Sequence, residues 1–114
     1  MIRWQPGRQG TGYFKLKLLE SQRLKFDCYI LKYPSGAMVP SHKDPVATGW
    51  RHFRLNIVLK KAIEGGFFYY SNSRTWHVGR RVVLFRPDIT LHRVSEIKKG
   101  TRYVLSIGWL RHDN

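Results

Sequence analysis

The chain is short of cysteine, of acid and of long apolar runs. Its 114 residues include a single cysteine, Cys28, so no internal disulfide can staple the fold, and a reducing, cytoplasmic setting is expected. No stretch reaches the roughly 18 apolar residues of a membrane-crossing helix. The opening Met1-Ile2-Arg3-Trp4-Gln5-Pro6-Gly7 lacks the apolar centre of a secretory signal. No amphipathic helix of three turns, internal repeat or low-complexity tract can be traced. With 42% hydrophobic and 14% aromatic residues, the chain has enough apolar material for one core, which excludes a disordered tail.

Acid is scarce beside base. Seven Asp and Glu stand against twenty-one Lys and Arg, a formal charge of +14. Such a field draws polyanions and predicts non-specific, salt-sensitive association with nucleic acid. The cations are nevertheless scattered, from Arg3 and Arg8 through Lys15 and Lys17 to the doublets Lys60-Lys61, Arg80-Arg81 and Lys98-Lys99. These doublets fall at strand ends, where they could line one rim.

What the chain does have is strand signal. Residues 13–19, 26–33, 53–59, 66–70, 82–85 and 101–110 are rich in β-branched and aromatic side chains, and turn formers such as Tyr33-Pro34-Ser35-Gly36, Glu64-Gly65-Gly66, Ser71-Asn72-Ser73 and Lys98-Lys99-Gly100 separate them. One all-β domain of two sheets over residues 1–114 is expected. Alternation puts Arg102, Val104, Ser106 and Gly108 on one face of the last strand, with Tyr103, Leu105, Ile107 and Trp109 on the other. Arg54 and Asn56 likewise share a face opposite Leu55, Ile57 and Leu59. If Arg102 points into a pocket, the bulky face needs a cover, and a second subunit of a homo-oligomer or the N-terminal segment is expected to supply it.

Chemistry concentrates in His42-Lys43-Asp44 and His92. In an extended segment residues two apart point to the same side, so His42 and Asp44 can share one ion while Lys43 faces away. Two His and one carboxylate make the facial triad of non-haem iron oxygenases, which leaves three coordination positions free. His-x-Asp alone is a weak signal, and its surroundings carry the argument.

Tyr33-Pro-Ser-Gly36-Ala-Met-Val-Pro-Ser-His42-Lys-Asp44 resembles the Tyr-x-x-Gly stretch running into His-x-Asp in the prolyl-4-hydroxylase-like branch of the iron(II)/2-oxoglutarate dioxygenases. Glu64-Gly65-Gly66-Phe67-Phe68 and Gly79-Arg-Arg-Val-Val-Leu-Phe85 resemble two further strands of that branch. Leu91-His92 through Arg102 to Ser106 resembles its distal-His segment. The likeness spans about residues 26–110, with the landmarks in order. It implies a double-stranded β-helix (a cupin-like jelly roll) with little helix, and an enzyme that uses Fe(II), 2-oxoglutarate and O₂ to hydroxylate a substrate, releasing succinate and CO₂. It further implies that His42, Asp44 and His92 are the catalytic metal ligands and that Arg102, ten residues after His92, grips the far carboxylate of 2-oxoglutarate. A planar guanidinium suits that task. Ser106 can add a hydroxyl there and Tyr33 can reach from the pocket wall. Arg54-Leu55-Asn56 resembles an Arg-x-His segment that holds 2-oxoglutarate in aspartyl-hydroxylase relatives, with Asn in place of His.

The plainer readings stand beside these. His52, His77 and His112 read as surface residues, Tyr29 and Tyr33 as core, Trp50, Trp76 and Trp109 as packing, and Cys28 as a small buried hydrophobe. Two other classes stay open: a basic β-barrel that binds nucleic acid without catalysis, and a cupin-like metal protein that does not use 2-oxoglutarate. The primary substrate, whether protein side chain, nucleobase or metabolite, is not written in the sequence.

Overall fold

The computed structural model describes residues 3–7, 10–71 and 75–112, and every regular element among them is a strand. Arg8 and Asn72-Ser73, named above, lie outside the described residues. In chain order the strands are β1 (Trp4–Pro6), β2 (Phe14–Ser21), β3 (Phe26–Tyr33), β4 (Val39–His42), β5 (Trp50–Lys60), β6 (Glu64–Gly65), β7 (Phe68–Tyr70), β8 (Trp76–Val78), β9 (Val82–Phe85), β10 (His92–Val94), β11 (Ile97–Lys99) and β12 (Arg102–His112). Seven of them form the main sheet in the order β1-β2-β3-β12-β5-β9-β8. Opposite it lie a three-stranded sheet, β4-β10-β7, and the pair β11-β6. This is the all-β jelly roll expected.

β3 and β9 fall on the segments read from sequence, because both are rich in β-branched and aromatic side chains. β5 and β12 run to 11 residues each, longer than expected, since each is bonded on both sides. Glu64-Gly65-Gly66 works by subtraction. Both glycines have positive φ, and a Cβ on Gly65 would sit 2.2 Å from the carbonyl oxygen of Glu96, so only glycine lets β6 lie against β11.

Register then fixes the inner face of the main sheet. Ser106 sits opposite Tyr29 and Asn56, and Gly108 opposite Asp27 and Arg54. Arg102, Val104, Ser106 and Gly108 are all buried, as period two required. Tyr33, Val58 and Val104 of this face pack with Ala37, Val39, Val94 and Ile97 from the facing strands to form the core. Each such aliphatic side chain fully buried stabilises by roughly 1.5–3 kcal/mol.

Of the two covers expected for the outer face, the described N-terminal strand does not supply one: β1 pairs with β2 and lengthens the sheet at its edge. Long basic side chains do part of the covering, with Arg51 and Arg86 over the ring of Phe53 and Lys32 over Trp4. Trp109 stacks on Phe53 at 5.9 Å, so Tyr103, Leu105, Ile107 and Trp109 end up half-buried.

Candidate metal centre

His42 on β4 and His92 on β10 are direct partners across antiparallel strands, with ring centroids 4.2 Å apart. Asp44 follows just beyond the end of β4, its backbone N–H donating to the carbonyl of Pro87 at 2.7 Å. Pro87 sits in the Arg86–Asp88 segment, where Arg86 grips Asp88 through two hydrogen bonds, at 2.6 and 3.2 Å. The Asp44 main chain is thereby held on a braced loop.

Both imidazoles are oriented by the main chain. His42 Nδ1 donates to the Pro40 carbonyl at 2.7 Å, and His92 Nδ1 donates to that of Thr90 at 2.8 Å. A carbonyl can only accept, so each proton lies on Nδ1 and each Nε2 is turned toward Asp44. His42 Nε2 lies 3.2 Å from one carboxylate oxygen and His92 Nε2 lies 3.8 Å from the other. His92 is buried against Phe85 and Phe68, with centroids at 5.1 and 6.1 Å. Burial holds its pKa below the usual value, opposed by the Thr90 hydrogen bond and assisted by His42. Neutral Nε2 atoms and a carboxylate are all acceptors, so they converge favourably only around a cation or shared protons. One ligand atom from each residue falls within 4.8 Å of the others, and a backbone carbonyl behind each imidazole is the usual support of a metal-ligating His. The donor set could hold a divalent metal.

Beyond this cluster, the inner face carries a polar network. Arg54 donates to Asp27 at 2.8 Å, to the Ser106 hydroxyl at 2.8 Å and toward His52 Nε2 at 3.4 Å, while Ser106 donates to Asn56 at 2.6 Å. Gly108 makes room for it, since a Cβ there would lie 2.1 Å from the Arg54 guanidinium. His52, read from sequence as a surface residue, is instead mostly buried in this network. Burial first and Arg54 second push its pKa down to about 4. With Asp44 and Asp27 it lines a cleft of about 530 Å³.

Arg102 occupies the opposite stretch of β12. It is 5% exposed, and its guanidinium stands 5.0 Å over the Tyr33 ring, whose residue is its register partner on β3. Burial pushes the Tyr33 hydroxyl up to about 12, with Arg102 pulling the other way. Burial also lowers the pKa of Arg102, because among the described residues no carboxylate pairs with it. Its head lines a second cavity, of about 970 Å³, walled by Phe68, Tyr70 and Val83. Lys61, Arg80 and Arg81 line the same cavity, so two of the basic doublets reach one rim. Trp76 is 55% exposed rather than packed, and Cys28 is half-buried, its thiol pushed up by burial.

Fold and donor set together define a jelly roll of the cupin type with a candidate His-Asp-His metal centre. Neither a protein-family model nor a curated protein matches this chain. Among solved structures it is similar to a Pseudomonas putida prolyl-4-hydroxylase, at 18% identity and a TM-score of 0.69, over 98% of this chain and 79% of that one. It is similar also to a cupin-2 domain from Rhodospirillum rubrum, at 10% identity and a TM-score of 0.66, over 99% and 72%. A viral collagen prolyl hydroxylase from Paramecium Bursaria Chlorella virus-1, solved as its 2OG complex, matches at 21% identity and a TM-score of 0.53, over 78% of this chain and 60% of that one. At such identities the likeness establishes the fold, which hydroxylases and other cupins share.

Proposed function

We propose that residues 1–114 act as one Fe(II)- and 2-oxoglutarate-dependent dioxygenase domain, a hydroxylase, with His42, Asp44 and His92 as metal ligands and Arg102 as the anchor of the co-substrate's far carboxylate. The observation that carries this reading is a buried guanidinium with no acidic partner among the described residues, on the inner face whose Phe85 packs against His92 of the His-Asp-His donor set. When bound, ferrous iron would activate O₂, the oxidant, with 2-oxoglutarate as reductant: one oxygen atom would go to the substrate C–H and the other to succinate, with CO₂ released. The chain's own contribution is positioning. Pro40 and Thr90 fix the two imidazoles, the braced Arg86–Asp88 loop fixes Asp44, and Tyr33 holds the plane of Arg102 by hydrogen bond and ring contact. Ser106, Asn56 and Arg54 hold one another across the middle of the face, so their role is to shape the pocket floor. The cleft beside Asp44 gives the substrate a route to the metal. A half-buried lone thiol fits a reducing cytoplasm, where ferrous iron persists.

Anaerobic ferrous iron with 2-oxoglutarate should give the weak visible charge-transfer band of a chelated complex, and His42→Ala, Asp44→Ala or His92→Ala should each abolish it. Arg102→Ala should weaken 2-oxoglutarate by about 2–5 kcal/mol with iron affinity unchanged, and Arg102→Lys should recover only part of that loss. Unchanged iron binding in all three triad variants overturns the site. Iron binding with no response to 2-oxoglutarate replaces the oxygenase with a cupin-type metal protein, the reading to which the Rhodospirillum rubrum likeness lends weight.

A further inference from the structure

On the solvent side of the three-stranded sheet, four side chains that the metal centre does not use form a continuous strip. Alternation along β7 turns Phe68 and Tyr70 inward and leaves Phe67 and Tyr69 outward. Arg80, from the β8–β9 turn, lies 5.3 Å from the Phe67 ring centroid. Phe67 meets Tyr69 at 6.4 Å, and Arg93, the register partner of Tyr69, lies 4.2 Å from that ring. The order is guanidinium, ring, ring, guanidinium. Despite these contacts, Phe67 and Tyr69 remain 45% and 44% exposed. Their main chain is anchored: the Phe67 N–H donates to the Ser95 hydroxyl and the Ser95 N–H to the Phe67 carbonyl, both at 2.9 Å, and Tyr69 is paired with Arg93 across β7 and β10. Beside the strip, the rim carries Lys61 and Arg81 against a single acid, Glu64, among its described lining residues.

We propose that this strip is a binding platform for single-stranded nucleic acid, with bases stacking on Phe67 and Tyr69 and phosphates held by Arg80, Arg93 and the neighbouring rim cations. Rings on an anchored main chain, half exposed and interleaved with cations, are what such a strand requires, because every base offers a π-face and every linkage a negative charge. An acidic protein surface would satisfy the cations but has no use for the rings, and a net charge of +14 favours the polyanion. The strip borders the cavity that Arg102 also lines, but none of its residues belongs to the donor set or the Arg102 anchor, so the platform does not rest on the oxygenase reading.

The test is fluorescence anisotropy with a labelled oligo-dT, a matched abasic oligonucleotide that keeps the phosphates without bases, and polyglutamate, all at one salt concentration. Oligo-dT should bind at least about tenfold tighter than the abasic strand. Phe67→Ala and Tyr69→Ala should each weaken oligo-dT by about 5- to 100-fold, and the double variant should fall to the abasic level. Phe67→Leu should lose nearly as much as Phe67→Ala, because leucine keeps apolar bulk without a stacking face; unchanged far-ultraviolet circular dichroism verifies the fold. Arg23→Ala, which removes the same charge elsewhere, should cost under about threefold, whereas Arg80→Ala costs more. Equal affinity for the dT and abasic strands, or ring variants that bind dT normally, overturns the platform. Polyglutamate bound as tightly as oligo-dT assigns the surface to an acidic protein instead.

Discussion

Two guanidinium groups sit on the same inner face of the main sheet and are treated oppositely. Arg54 has a carboxylate at 2.8 Å, a hydroxyl at 2.8 Å and an imidazole acceptor at 3.4 Å, so its charge is answered within the chain. Arg102 is more deeply buried and, among the described residues, has only a tyrosine beside it, whose hydroxyl burial keeps protonated. Desolvating a cation is expensive unless an anion compensates. Arg54 therefore belongs to the architecture, whereas under the proposed function the charge of Arg102 is answered by the co-substrate's carboxylate.

The comparison breaks first at Asp27. Asp27→Ala strands the Arg54 charge and should destabilise the fold by about 3 kcal/mol, read from urea unfolding midpoints. An unaltered midpoint would mean that Arg54 has no structural duty. Ser106→Ala comes next: Arg54 loses an acceptor and Asn56 a donor, so about 1–2 kcal/mol should be lost in the same measurement. Acid should follow. His52 accepts from Arg54 only when neutral, and its folded pKa is near 4 against an ordinary 6.5. The unfolded chain then binds the extra proton, so stability should be full above pH 6.5, fall as the pH drops toward 4 and level off below. His52→Gln should flatten that window, and a slope identical to wild type would place the titration elsewhere. The smallest effect is the most telling. Arg102→Met, without ligand, should alter stability by no more than about 1 kcal/mol, and upward if at all, because an uncompensated charge leaves the interior. A loss as large as that of Asp27→Ala would erase the contrast between the two arginines.

Much of this was legible in the sequence. Period two placed Arg102, Val104, Ser106 and Gly108 on one face because β12 lies between two neighbours and cannot slip register without reversing its apolar side. The clustering of His42, Asp44 and His92 rested on a local motif plus an ordered set of landmarks. The Asp27–Arg54 bond was invisible, since it depends on β3 and β5 flanking the same strand, and nothing in either segment announces the other. His52 was misjudged for that reason. The strands β1, β4, β6, β8 and β11 also escaped notice: they run two to four residues, and β4 includes Pro40 and Ser41, so tertiary pairing rather than propensity makes them strands.

The position of β12 at the centre of the main sheet governs how the chain folds. On one side lies β1-β2-β3 and on the other β5-β9-β8, with no backbone pairing between the two groups. Neither group can be joined to the other until the twelfth strand has been synthesised, and β3 must wait about 70 residues for the partner that ties it in. Long loop closures of this kind slow folding and leave apolar edges open in the meantime. The scattered Lys and Arg that cover the outer face once the sheet is complete also keep its unfinished halves apart, by mutual repulsion, during the interval when they are most prone to pair with the wrong neighbour.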